Sequence, residues 1–391
     1  MKKIYLRKHE EKRLLAGHQW AFSNELLDVP KNIDAGDIVA LYSHDQVFIG
    51  TGFFNPHSLI AFRLLSVTDE PIDAAFFEQR FLTALRLREK LYPASDANTF
   101  RLAHAESDGL SGLVIDKFDD VFSVQTFSAG MEKRLDIICD TLKKLFSPSA
   151  IVLRNESELR TLDGLEPYQR IAYGELKGTV EIYDAGVRYL VDVRHGHKTG
   201  FFLDQRENRK RIRALAKNAD VLDVFTSDGG FALNALHAGA ASVLALDASK
   251  DALARATANA ARNAYKGLQT LHGDAFELLE KLQREGKAYD LVVLDPPSLT
   301  KSKKTVATAL QAYRKLNRLG LSLVKSGGFF ATSSCSHHVS EDEFFAVVDR
   351  ASREQKRRIQ LLEKAGQAPD HPVLLAMPET RYLKFGLFAV R

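Results

Sequence analysis

From residue 190 onward, short and almost wholly apolar runs alternate with longer segments in which apolar positions recur every three to four residues. The runs include Val221-Leu222-Asp223-Val224, Val243-Leu244-Ala245-Leu246-Asp247, Val292-Val293-Leu294-Asp295 and the strand that ends Ala331-Thr332-Ser333-Ser334. Strands covered on both faces read as continuous apolar runs, and helices packed on a sheet keep a polar outer face, so the alternation predicts a parallel, doubly wound α/β sheet. Residues 1–73 follow another rhythm. Ile38-Val39-Ala40-Leu41-Tyr42, Val47-Phe48-Ile49-Gly50 and Leu59-Ile60-Ala61-Phe62-Arg63-Leu64-Leu65 are separated by turn residues, which predicts a small β-rich module. Within 76–91, Phe77, Phe81, Ala84, Leu85 and Leu91 recur near helical spacing and open a second module. Strands at 113–116 and 121–125 then flank an Asp119-Asp120 turn, a helix over 132–146 stops at Ser147-Pro148, and a hairpin over 179–193 turns at Ala185-Gly186. A chain of 391 residues exceeds what one core usually serves, and three domains are expected: 1–73, 74–190 and 191–391.

Composition changes this picture little. No run approaches the roughly 18 apolar residues of a membrane span, and the first eight residues lack a signal-peptide apolar region, so a cytoplasmic, non-membrane protein is expected. Two cysteines, Cys139 and Cys335, form neither a disulfide framework nor a zinc spacing. His195, His197, His337 and His338 have no spacing that recommends a metal, and none is predicted. The net charge of +4 is modest, but basic residues cluster at 206–213 and at Lys301, Lys303 and Lys304, which is compatible with RNA binding.

The candidate chemistry sits where apolar runs end. The run to Val224, the turn Thr226-Ser227-Asp228-Gly229-Gly230 and the run to Asp247 read as the first βαβ unit of a nucleotide-binding sheet. Asp223, Phe225, Ser227 and Gly229 occupy its strand and turn, and Asp247 is placed to accept from a ribose diol. Asp274 stands where an adenine amino group can be bound, with Phe276 nearby for packing. Asp295 precedes Pro296-Pro297, which removes two amide donors and holds the chain extended, presenting a carboxylate to a cleft for a flat base. Ser298 follows, so no aromatic stands after the two prolines to stack on a base. Gln205 and Arg206 lie where a basic helix begins before the first strand; that helix can close over the ligand, reach RNA or face solvent. Cys335 follows a strand and precedes Ser340-Glu341-Asp342-Glu343, a capping-box helix start whose positive end favours a thiolate; the alternative is a small buried residue. Cys139 shares a helix face with Leu135, Leu142 and Phe146 and reads as core.

Gly17-His18-Gln19-Trp20-Ala21-Phe22-Ser23, Ala35-Gly36-Asp37 and Gly50-Thr51-Gly52-Phe53-Phe54-Asn55-Pro56 resemble a PUA domain, an RNA-binding pseudobarrel; the glycine turns can equally serve only barrel corners. With 106–116, 199–206, Asp-Pro-Pro at 295–297, Ser-Cys-Ser at 334–336 and Asp370-His371-Pro372, nearly the whole chain resembles the bacterial 23S ribosomal RNA large-subunit cytosine-C5 methyltransferase family. The resemblance implies a PUA domain, a middle α/β domain and a Rossmann-like class I methyltransferase sheet. It implies S-adenosylmethionine (SAM) as cofactor, held around Asp223, Phe225, Ser227, Gly229, Asp247, Asp274, Phe276, Asp295, Pro296, Gln205 and Arg206. Cys335 is then the nucleophile at cytosine C6, and Asp295 engages the N3/N4 edge. Ribosomal RNA, 23S in particular, is the implied partner, and a homodimer is compatible with it. No cysteine follows Pro296, so release of the product falls to another base or water. Three rivals stay open: methylation of a base nitrogen with Cys335 structural, a nicotinamide oxidoreductase, disfavoured because the turn lacks Gly-x-Gly-x-x-Gly, and a noncatalytic RNA-binding protein.

Overall fold

The computed structural model describes residues 1–391 apart from 29, 31, 197 and 301, so the readings placed on His197 and Lys301 lie outside the described residues. The chain divides into two compact units, each drawn from separate stretches of sequence. One comprises Met1–Ile182, Val191–Phe201 and Pro369–Thr380; the other comprises Tyr183–Leu190, Phe202–Ala368 and Arg381–Arg391. The first unit therefore takes in the 1–73 stretch and most of 74–190.

Two sheets build that unit. The six-stranded sheet runs in the spatial order Trp20–Ala21, Phe62–Ser66, Phe48–Phe54, Asp37–Tyr42, Lys2–Leu6, Leu26–Leu27, with one parallel pairing, between Lys2–Leu6 and Asp37–Tyr42. Ile4, Leu6, Val39, Leu41, Phe54 and Phe62 fill its interior. Gly52 is required by a close approach of strands, because a Cβ there would stand 2.1 Å from the Arg63 carbonyl oxygen. The five-stranded sheet runs Tyr168–Gly174, Ala150–Asn155, Val121–Thr126, Leu113–Phe118, Thr99–His104. The helix expected over 76–91 begins at Ala74, because Asp73 accepts from the N–H groups of Ala75 and Phe76 and caps it. The helix expected from 132 begins at Leu135, the preceding Ala129–Glu132 being a separate turn capped by Ser128. Phe53 and Leu65 of the first sheet join Phe76, Phe77, Met131 and Ile138 in one core, which also holds Cys139. Burial pushes the Cys139 thiol up to about 11. Asp370 packs here as well: its carboxylate accepts from the Arg101 N–H at 3.0 Å and its carbonyl from buried Arg88 at 2.9 Å. Arg88 is also gripped by Asp108 at 2.6 and 2.7 Å.

The second unit contains helix α1 (Arg206–Ala216), then β1 (Asp220–Val224), α2 (Gly230–His237), β2 (Ser242–Asp247), α3 (Lys250–Arg262), β3 (Leu268–His272), α4 (Ala275–Arg284), β4 (Tyr289–Leu294), α5 (Val306–Ser322), β5 (Val324–Ser334), α6 (Glu341–Glu354), β6 (Ile359–Ala365) and β7 (Lys384–Val390). The sheet order is β3-β2-β1-β4-β5-β7-β6, parallel through β5, with β7 antiparallel to both its neighbours. Strand order reverses at β1, whose neighbours β2 and β4 lead to opposite sides of the sheet. In open α/β sheets ligands bind beyond the strand carboxyl ends at such a switch point. Leu222, Val224, Val292, Leu294, Leu316 and Phe330 are among the buried residues that hold strands and helices together. The hairpin expected over 179–193 is present as Val180–Asp184 and Val187–Val191, turning through Ala185 (φ 50°) and Gly186 (φ 88°), two left-handed residues that suit a two-residue turn.

Candidate active site

Strand register gathers the site. Val224 pairs with Leu246 and with Leu294, Leu246 with Leu271, and Leu294 with Thr332. One residue further along each strand come Phe225, Asp247, His272, Asp295 and Ser333, a row along the carboxyl edge where the apolar runs give way to polar groups.

The loop after β1 is held in an uncommon path. Phe225 (φ 66°), Ser227 (φ 49°) and Gly229 (φ 86°) are all left-handed, and only the last is a glycine. Left-handed non-glycine residues cost roughly 1 kcal/mol or more each and persist only where their surroundings enforce them. Here the amides of Phe225 and Thr226 both donate to the Leu246 carbonyl, at 2.9 and 3.0 Å, and the Ser227 amide donates to Asp247 Oδ2 at 2.9 Å. Asp223 Oδ2 accepts from Thr226 Oγ1 at 2.6 Å and from the Ala232 amide at the start of α2 at 2.9 Å. Its carboxyl is fully buried, and that burial pushes it up to about 7; the two hydrogen bonds and Arg209 oppose the shift, while Asp295 adds to it.

Two atoms, one at the end of β1 and one in the loop after it, test the fit of a cofactor. Asp223 Oδ1 and Ser227 Oγ are buried without a hydrogen-bond partner among the described residues. Buried polar atoms are nearly always satisfied, so these fit a ligand that brings donors of its own. Asp247 Oδ1 accepts from the Ser249 amide at 2.9 Å and keeps lone pairs for a diol. Asp274 is exposed and caps α4, Oδ1 accepting from the amides of Phe276 (2.9 Å) and Glu277 (3.2 Å). Phe276 is half-buried against the core, with the Lys315 ammonium 5.4 Å from its ring centre.

Gln205 and Arg206, neighbours in sequence, serve different partners. Buried Gln205 donates to Asp295 Oδ1 at 2.7 Å and accepts from Asn208 at 2.6 Å, so it is spent on the carboxylate of the Asp-Pro-Pro turn. Arg206 is buried with Asp184, Nε to Oδ1 2.6 Å, and is no solvated helix face. Asp295 Oδ1 also accepts from Ser333 Oγ, and two donors on one oxygen fix the carboxylate plane. Pro296 is buried beside it.

Cys335 stands two residues beyond Ser333 and is half-exposed. The serines on either side of it are pinned. Ser334 Oγ donates to the hydroxyl of buried Tyr313 (2.9 Å), which in turn lies 2.9 Å from Ser336 Oγ. Ser336 Oγ accepts from the Leu299 amide at 3.1 Å and lies 3.2 Å from Ser298 Oγ, tying the cysteine turn to the Asp-Pro-Pro turn. Helix α6 begins five residues later with the expected capping box, in which Ser340 Oγ accepts from the Glu343 amide (3.2 Å) and the Glu343 carboxylate from the Ser340 amide (2.8 Å). Sequence reasoning missed Ser333, Asn208 and Tyr313; among them only Ser333, next to the Ser-Cys-Ser motif, carried a local signal.

A carboxylate and a thiol on adjacent strand ends, beside a nucleotide-type loop, match what similarity to known proteins shows. Residues 4–67 match a PUA-like domain, and residues 103–383 match an S-adenosylmethionine-dependent methyltransferase family. Proteins named ribosomal RNA large subunit methyltransferase I are similar over nearly the full length: 37% identical in Alteromonas mediterranea (97% of both chains), 38% in Shewanella denitrificans (99% of this chain, 98% of the relative) and 34% in Escherichia coli O157:H7 (98% of both). Two solved structures share the whole fold: a proposed SAM-dependent methyltransferase from Streptococcus mutans (22% identity, TM-score 0.84) and a proposed methyltransferase complexed with SAH (23% identity, TM-score 0.86), each covered in full. No helix among the described residues is long and apolar enough to cross a membrane. The chain thus belongs to the SAM-dependent methyltransferases, in the family of the ribosomal RNA large subunit methyltransferase I enzymes.

Proposed function

We propose that this protein methylates C5 of a cytosine in 23S ribosomal RNA, acting in the cytoplasm, with Cys335 as a covalent nucleophile. The observation that carries the reading is the half-exposed Cys335 thiol placed two residues past Ser333, which itself fixes the carboxylate of Asp295. Cytosine C5 is a weak carbon nucleophile. Addition of the Cys335 sulfur to C6 turns the ring into an enamine whose C5 can attack an electrophilic carbon. SAM, when bound, supplies that carbon as the methyl on its sulfonium. The C5 proton then leaves to a base or water, the S–C6 bond breaks, and the thiolate returns with 5-methylcytosine released.

Asp295, held by Gln205 and Ser333, presents its carboxylate to the N3/N4 edge of the base and so orients the ring. Asp247 and the buried oxygens of Asp223 and Ser227 hold the cofactor. Residues 1–73 contribute RNA contacts, 74–190 form a middle domain and 191–391 carry the chemistry. A homodimer is compatible with this arrangement.

Ribosomal RNA carrying 5-fluorocytosine at the target tests the step, because fluorine occupies the position from which a proton must leave and elimination is blocked. On a denaturing gel, wild-type enzyme with SAM should give a slow-migrating adduct, and Cys335→Ala should give neither adduct nor methylated cytosine. Methylation by Cys335→Ala would instead establish attack by a base nitrogen with Cys335 structural.

A further inference from the structure

Lys384 opens β7 and pairs in antiparallel register with Ser334, the residue just before Cys335. Its side chain is buried, and its Nζ donates to the carbonyl oxygens of Ser336 (2.6 Å) and Val339 (2.8 Å). Those two carbonyls bracket the turn that leaves Cys335. A buried ammonium normally sits against a carboxylate, since taking the charge out of water is expensive. Among the described residues no carboxylate lies within 4.0 Å of Lys384 Nζ, and two carbonyl dipoles are poor compensation for a full charge. The acids that act on it are committed elsewhere: Glu341 to Arg381 and Lys364, and Glu343 to the cap of α6. Burial pulls Lys384 down to about 8, and what resists that pull most is the negative charge available at Cys335, ahead of Glu341 and Glu343, while Arg381 works with burial. The hydroxyl of Tyr313, from α5, packs on the serines flanking Cys335, and burial first, then Cys335, hold it in the neutral form. Just past β4, Asp295 adds a carboxylate to the same edge of the sheet.

We propose that Lys384 is a positioning residue for Cys335: its ammonium clamps the Ser336 and Val339 carbonyls that shape the cysteine turn and, by its charge, holds the Cys335 sulfur as a thiolate. The proposal deepens the reading of Cys335 as nucleophile and rests on it. Thiolate is the nucleophilic form, and an adjacent cation lowers a thiol's pKa. The clamp and the charge come from one group, so the sulfur is ionised where the turn is correctly folded.

The test is alkylation of the full-length protein by iodoacetamide across pH 5–10, read by peptide mass spectrometry so that Cys335 is followed separately from buried Cys139. Wild-type Cys335 should titrate below the ordinary thiol value of about 8.5. Lys384→Met should move that midpoint up by a unit or more, slowing alkylation about tenfold at pH 7 while leaving the rate at pH 10 unchanged. Lys384→Arg, which keeps the charge, should restore most of the shift. A wild-type midpoint at or above the ordinary thiol value overturns the proposal without any variant. An unchanged midpoint in Lys384→Met, or slowing that is equal at every pH, overturns it too, because a merely structural lysine would alter access and not ionisation. Methylation by Cys335→Ala would end the nucleophile reading but leave these midpoints where they are, so the two failures are distinguishable.

Discussion

Replacing Asp223 with asparagine should stabilise the protein in a way that depends on pH. The Asp223 carboxyl is fully buried and titrates at about 7 in the fold, against 3.8 for an unperturbed aspartate. Between those values the folded chain holds a proton that the unfolded chain has lost, so stability falls as pH rises from about 4 to 7 and levels off above. Roughly three units at about 1.4 kcal/mol each put the cost near 4 kcal/mol at pH 8, and about 2 kcal/mol at pH 5. Asparagine has the same shape and no charge. Its carbonyl oxygen, set where Oδ2 stands, can still accept from both Thr226 and the Ala232 amide, but a neutral acceptor makes both bonds weaker, a loss of about 1 kcal/mol. Asp223→Asn should therefore be more stable than wild type by about 3 kcal/mol at pH 8 and by about 1 kcal/mol at pH 5. Chemical denaturation followed by circular dichroism at the two pH values measures it. The same variant should bind SAM more weakly, because the buried Oδ1 is left without its charge. A stability difference that is equal at pH 5 and pH 8 would show that Asp223 does not carry a buried negative charge.

Asp247→Ala should weaken SAM binding by about 1.5–3 kcal/mol, the range for a hydrogen bond to a charged acceptor, and should also release the Ser227 amide that shapes the loop. Titration calorimetry with SAM reads the change, and equal affinities would remove Asp247 from the site. Ser333→Ala should leave SAM affinity unchanged but lower the methylation rate on RNA several-fold, since Asp295 would lose one of the donors that fix its carboxylate plane. An unaltered rate would mean that the Asp295 carboxylate needs no second donor.

Much of the site can be read from the sequence for one reason: in a parallel sheet, each strand's carboxyl end is marked by the place where its apolar run stops. Asp247 and Asp295 could be placed on one edge without knowing any contact, and Cys335 just past the end of another strand, because register alone aligns those ends. What escaped depends on pairings between distant segments. Lys384 reaches the cysteine turn through an antiparallel register across fifty residues, and nothing in its local sequence separates it from a surface lysine. Gln205 was legible as a polar residue near the ligand but not as the partner of Asp295, which only the packing of the segment leading into α1 decides. The modules before residue 190 were legible as strands and helices. Their common core was not, since Phe53 and Leu65 meet Phe77 and Ile138 only in three dimensions. Asp370-His371-Pro372, distinctive as a motif, folds with the first unit, where Arg88 and Arg101 receive Asp370.

The position of β7 bears on how the chain assembles as it is made. Strand β6 is synthesised before β7 yet pairs only with it, because β7 lies between β5 and β6 in the sheet. Until β7 emerges, β6 has no strand to join, and the long strand β5 offers an unpaired edge of backbone donors and acceptors. Open edges of this kind recruit other chains, and the hazard lasts until β7 is free to pair with β5. Any delay between the completion of β5 and the arrival of β7 prolongs it.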